Sequence, residues 1–134
     1  MAKSRKFSFR RLANSFGYAG KGIAWVWHSE PNFRAHCIAA GIVLILGFLL
    51  KISFSEWIAL VLCIGIVTGA EAFNSALEAL ADATHPEQNP MIAKAKDASA
   101  GAVLLASLAA SAVGAMIFLP KLWQLMKTML SRSG

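Results

Sequence analysis

The stretch EAFNSALEALADATHPEQNPMIAKAKD, residues 71–97, decides how the rest of the chain is read. It opens inside an apolar run, with Glu71, Asn74, Ser75, Glu78 and Asp82 written among Ala, Phe and Leu. At about 100° per residue, positions 71, 74, 78 and 82 fall within roughly 80° of one another on a helix. Three carboxylates and an amide therefore share one stripe. The helix is expected to end near His85-Pro86, and Lys94, Lys96 and Asp97 open the next apolar run. Carboxylates lined up on one face repel each other unless something cationic sits among them. Divalent Mg²⁺ carrying a polyphosphate meets that need, because it takes carboxylate and phosphate oxygens together.

A polar stripe on a helix is ordinarily its solvated face. Here the stripe follows directly from the uncharged segment Trp57 to Ala70, which places the same helix in a bilayer. Ionisable groups at or near membrane depth are costly and mark functional sites.

Composition supports the bilayer. Of 134 residues 57% are hydrophobic and 15% charged, too apolar a balance for a soluble domain. The net charge of +6 is concentrated at the N-terminus, in Lys3, Arg5, Lys6, Arg10, Arg11 and Lys21. That pattern suits an anionic membrane face, and it lacks any nucleic-acid-binding motif, so no nucleic acid is expected as a partner. Cys37 and Cys63 each lie in apolar runs and read as buried thiols. The basic N-terminus has neither an adjoining apolar core nor a small-residue cleavage site, and does not read as a signal peptide.

One all-α membrane domain over residues 1–134 is the expected architecture. Residues 7–29 repeat apolar side chains at helical spacing between basic ones and read as an amphipathic surface helix. Its Gly-rich string from Gly17 to Gly22 lacks the spacing and the Ser/Thr of a Walker A loop. A turn at Ser29 to Asn32 leads to the first span, 33–51. The second span, 56–82, carries the acidic stripe. The third, 95–120, is rich in Gly, Ala and Ser, which favours close helix packing. The tail from Lys121 to Gly134 reads as amphipathic and interfacial, with Trp123 at headgroup level. Most lysines and arginines flank the N-terminal segment and the 83–97 loop, so that side is expected to be cytoplasmic. Glu30, the stripe and Asp97 then face the compartment that holds ATP.

These residues carry a resemblance. Glu71 to Asp82, with Lys96-Asp97 following, is similar to the signature of the prokaryotic diacylglycerol kinase family. Gly17-Tyr18, the Trp27-to-Glu30 segment and Asn32-Phe33-Arg34 match it in order and spacing, and the likeness covers residues 7 to 121. The Asn32-to-His36 start of the first span and the Ile117-to-Leu122 close look more like the undecaprenol kinase branch.

The resemblance implies a homotrimeric kinase of the bacterial inner membrane whose sites are shared between subunits. It implies Glu71 as general base and Glu30 and Glu78 as Mg²⁺ ligands. Asn74, Asp82, Lys96 and Asp97 would order ATP, joined by Glu30, Glu78 and Glu87, with Arg11 and Tyr18 reaching it from the surface helix. Trp27, Arg34, Glu71 and Ser99 would meet the lipid. The diacylglycerol branch carries a site serine where this chain has Ala100, beside Ser99. The acceptor is expected to be undecaprenol, with diacylglycerol as the alternative. Five of the seven acids (Glu30, Glu71, Glu78, Asp82 and Asp97) form the heart of the site, leaving Glu56 and Glu87 outside that group. Phosphoryl transfer asks mainly for positioning and charge neutralisation, which such a set supplies. An ion-conducting or scaffold oligomer is the competing class, but it would line acids along a helix rather than gather them at one end.

Overall fold

The computed structural model describes residues 8–84 and 89–132, and these form four helices: α1 (Phe9–Ser29), α2 (Pro31–Leu49), α3 (Phe54–Thr84) and α4 (Pro90–Arg132). Helices α2, α3 and α4 are long and apolar enough to cross a membrane, and most of their surface faces outward. Helix α1 leaves Phe9, Phe16, Tyr18 and Ile23 exposed, as a helix lying on a membrane surface does.

Backbone chemistry fixes each corner. Between α1 and α2, Glu30 is extended (φ −108°, ψ 108°), because the ring of the following proline disfavours helical backbone. Pro31 then starts α2, where its missing N–H costs nothing. The Arg34 guanidinium turns back and donates to the Trp27 and His28 carbonyls at 2.9 and 3.1 Å, satisfying the open end of α1. Val26 and Phe33 are buried at this corner.

The α2–α3 corner is tighter. Ile52 N–H donates to the Gly47 carbonyl and Lys51 N–H to that of Phe48, the paired bonds of a Schellman motif. Lys51 occupies its left-handed position with φ 49°. Ser53 and Glu56 then form a capping box. Ser53 N–H donates to Glu56 Oε2 at 2.6 Å, and Glu56 N–H points back to Ser53 Oγ at 3.4 Å. Ile52, Leu60, Ile117 and Phe118 make the buried core at this end.

Helix α4 starts earlier and ends later than the expected 95–120. Asn89 Oδ1 accepts from Met91 N–H at 2.9 Å and Pro90 follows it, which sets the start. The helix then continues through Pro120 to Arg132. Helix α3 packs antiparallel against it more extensively than any other pair. Two ion pairs bracket this hairpin: Lys96–Asp82 at 2.9 Å and Lys121–Glu56 at 3.2 Å. Along α3 the two acids are about 39 Å apart at 1.5 Å per residue, close to the thickness of a bilayer with its headgroups. The two pairs are thus spaced as the two faces of a membrane are.

Candidate active site

The acidic stripe lies where α3 meets α1, α2 and the start of α4. Glu71 is buried at 4% exposure, and Ser75 one turn on is buried at 3%. Ser75 Oγ donates to the Glu71 carbonyl at 2.9 Å, so its hydroxyl is used within the helix. Glu30, Glu78 and His36 lie near enough to Glu71 for their charges to act on it. The stripe spacing on α3 places Glu71 and Glu78 on one face. The α1–α2 corner delivers Glu30, and the first turns of α2 deliver His36.

Across the hairpin a polar chain joins α3 to α4. Ser99 Oγ donates to Asn74 Oδ1 at 2.5 Å, and Asn74 Nδ2 donates to Glu78 Oε1 at 3.1 Å. The carboxylate, which only accepts, sets which way the amide faces, and Ser99, whose hydroxyl also lies 2.9 Å from the Lys96 carbonyl, holds the amide's other side. Lys96, one turn before Ser99, donates to Asp82 Oδ1 at 2.9 Å and lies within electrostatic reach of Glu78. Asp82 is largely exposed, so this pair marks the rim.

Neither ion pair of the described residues reaches Glu30, Glu71 or Glu78. Three gathered acids without a bonded cation leave negative charge that a bound cation would neutralise. Among the described residues no three Asp, Glu, His or Cys side chains are placed to hold an ion by themselves. A hard divalent ion that completes its shell with phosphate oxygens and water fits this donor set.

Below the acids runs an apolar groove of about 410 Å³ between α2, α3 and α4. His36 stands at its upper end, and Val43, Leu60, Val67, Thr68 and Gly114 are among its walls. Val67 is one helical turn from Glu71, so the groove ends about a turn short of the buried acid. Ser107 Oγ is buried on this wall without a partner among the described residues.

The expected residues therefore divide. Glu30, Glu71, Asn74, Glu78, Asp82, Lys96 and Ser99 are brought to one end of the hairpin. Ser99 meets Asn74 there, a different contact from the lipid contact expected of it. Arg34 is engaged with the carbonyls ending α1, and Trp27, itself exposed, supplies one of them. Asp97, one residue past Lys96, is turned about 100° away and exposed. Arg11 and Tyr18 are exposed on α1 with no hydrogen bond or ion pair to the stripe among the described residues. Glu87 and the His85-Pro86 turn lie outside the described residues. His36 was passed over in the sequence, where a lone histidine opening an apolar run has no visible partner.

The family model for prokaryotic diacylglycerol kinase matches residues 17–118, a range holding every acid and amide of this site. The chain belongs to that family. This diacylglycerol-kinase-family protein is 39% identical over 121 residues to the undecaprenol kinase of Bacillus subtilis (strain 168), covering 90% of this chain and 98% of that one. It is 38% identical over 116 residues to a diacylglycerol kinase of Synechocystis, covering 86% of this chain and 66% of that protein. Against the diacylglycerol kinase of Escherichia coli (strain K12) it is 29% identical over 102 residues, covering 76% and 84%. The family is one of lipid kinases, so this membrane protein is an enzyme of that class.

Proposed function

We propose that this protein moves the terminal phosphoryl group of ATP to the hydroxyl of undecaprenol at the cytoplasmic face of the bacterial inner membrane. The observation that carries the reading is the seating of a buried carboxylate, Glu71, between a polar cluster and an apolar groove. A long unbranched-headed lipid alcohol in the groove presents its one hydroxyl at the level of Glu71. The likeness to an undecaprenol kinase over nearly the whole of both chains supports that acceptor. Two of the relatives described above are diacylglycerol kinases, which keeps diacylglycerol as the second reading.

In this mechanism Glu71 takes the proton from the lipid hydroxyl as its oxygen attacks the γ-phosphorus, and the bond to the β-phosphate oxygen breaks to release ADP. Glu30 and Glu78 would hold Mg²⁺ with the nucleotide, and the ion would offset the phosphate charge. Asn74, held by Ser99, keeps the Glu78 carboxylate oriented. Lys96 supplies a cation at the rim, where the phosphates enter. Arg11, Tyr18 and Glu87 are assigned to the nucleotide, and Trp27 and Arg34 to the lipid side.

The functional unit in this reading is a homotrimer with shared sites. Glu30 lies within electrostatic reach of Glu71 in the same chain, which supports a site that takes both of these acids from one subunit. Asp97, turned outward, is the acid one copy can offer to the next. Mixed assemblies of Glu71→Gln and Asp97→Asn subunits should then regain activity, while Glu71→Gln mixed with Glu30→Gln should not.

The function is tested by incubating purified protein with labelled ATP, Mg²⁺ and equal amounts of undecaprenol and diacylglycerol, then separating the products by thin-layer chromatography. Label predominantly in undecaprenyl phosphate is the expected result. Label predominantly in phosphatidic acid selects the second reading, and no labelled lipid overturns both.

A further inference from the structure

The C-terminal twelve residues of α4 have no place in the site, and they lie beyond the family-matched range of 17–118. Their position follows from the hairpin. Lys121 pairs with Glu56 at the end of the hairpin opposite the acidic cluster, about 39 Å along α3 from Asp82, and that spacing puts the residues after it at or beyond the far edge of the hydrocarbon. Yet Leu122, Trp123, Leu125, Met126, Met129 and Leu130 are apolar and exposed. On a helix these six fall within about 160°, and the remaining six residues, which include Lys121, Lys127 and Arg132, fill the other side within about 140°. The separation is complete. A helix directed straight into water would expose that whole apolar face.

Charge decides what covers it. No acidic residue follows Asp97, so the tail carries only positive charge. Tails from several copies packed together would repel, whereas an anionic headgroup layer would attract each one. Lys127 Nζ lies 5.2 Å from the Trp123 ring centroid, setting a cation at the edge of the apolar face beside an aromatic suited to the headgroup level. Pro120, immediately before Lys121, has no N–H for the carbonyl four residues earlier and so supplies a natural bending point.

We propose that residues 121–132 form a membrane-surface arm that turns at Pro120 and binds the anionic lipid face opposite the acidic site. Its apolar side enters the acyl–headgroup boundary, and Lys127 and Arg132 engage lipid phosphates. The arm does not depend on which lipid the site phosphorylates, or on whether it phosphorylates one at all.

The test uses the full chain with Cys37 and Cys63 replaced by alanine and one nitroxide label, at Met126→Cys or at Thr128→Cys. Each protein is reconstituted in phosphatidylcholine vesicles with and without phosphatidylglycerol, and circular dichroism checks that it is helical. With phosphatidylglycerol, the label at 126 should collide mainly with oxygen and the label at 128 mainly with an aqueous nickel chelate. Omitting the anionic lipid, adding high salt, or making Lys127→Gln with Arg132→Gln should reduce the surface-bound population roughly tenfold or more. An aqueous label at 126 on anionic vesicles overturns the proposal. So does equal depth in both vesicle types, which removes the role of charge. Spin–spin broadening at 126 also overturns it, since the tails would then cover one another.

Discussion

The two ends of the α3–α4 hairpin each carry an ion pair, but they are built in opposite ways. At the corner end, a Schellman motif, a capping box and the Ile52–Leu60–Ile117–Phe118 cluster satisfy the backbone and bury apolar surface. At the acid end, Glu71 is buried within electrostatic reach of Glu30, Glu78 and His36, and the interhelix contact runs through Ser99, Asn74 and Glu78. One end holds the helices together. The other keeps like charges together, an arrangement that costs stability unless a ligand completes it. The difference assigns stability to the corner and chemistry to the acids, and substitutions should separate the two.

The largest effect is expected at Glu71. Glu71→Gln keeps the shape and removes the proton acceptor, so turnover should fall by about 10²–10⁴. Resistance to unfolding should hold or rise, because a buried charge is removed. Near-normal turnover in the purified variant would end Glu71's role as base. A loss of stability instead would place Glu71 among the groups that hold the fold.

Next come the acids assigned to metal. Glu78→Gln and Glu30→Gln should each raise the Mg²⁺ concentration needed for half-maximal activity as well as lower the maximum. Glu78→Gln also changes the group that receives the Asn74 hydrogen bond, so its effect should be the larger. Identical Mg²⁺ titrations for wild type and both variants would remove the cation from these two acids.

At the corner the signs reverse. A Cβ at position 47 would meet Trp57 Cη2 at 2.9 Å and Ile52 Cδ1 at 3.1 Å. The Trp57 ring is itself packed on Phe48, with centroids 4.7 Å apart, and has little room to retreat. Gly47→Val should therefore cost about 1–3 kcal/mol in a denaturation titration. Turnover per folded molecule should not change. If activity falls and stability does not, the two ends are not independent.

These contrasts also explain what could be read in advance. Three spans, a surface helix and the stripe from Glu71 to Asp82 follow from hydropathy and helical spacing, which are local. The capping box at Ser53 and Glu56 and the Asn89-Pro90 start are equally local, yet the first falls in the gap left between the expected spans 33–51 and 56–82 and the second within the 83–97 loop. The Ser99–Asn74 contact needs the register of α4 against α3, which no single-helix pattern contains. Arg34 shows the same limit: its position matched the family, but its bonds to α1 depend on how the corner folds. Lys96 and Asp97 were read together because they are adjacent, although a 100° step turns them to different faces.

The smallest effect tests the corner alone. Lys51 holds φ 49° at a position where glycine is usual, because a Cβ there crowds the backbone at a cost of about 1–2 kcal/mol. Glycine relieves that crowding but adds freedom to the unfolded chain, which offsets roughly half of the gain. Lys51→Gly should therefore stabilise the protein by about 1 kcal/mol or less. Lys51→Ala removes the same amine and keeps the Cβ, so it should give no gain. The pair of variants separates backbone strain from any attraction of Lys51 to lipid headgroups. Equal stability for the two would mean that φ 49° carries no strain worth relieving. A gain for both would point to charge at the corner. Turnover unchanged in both is what a purely structural corner requires.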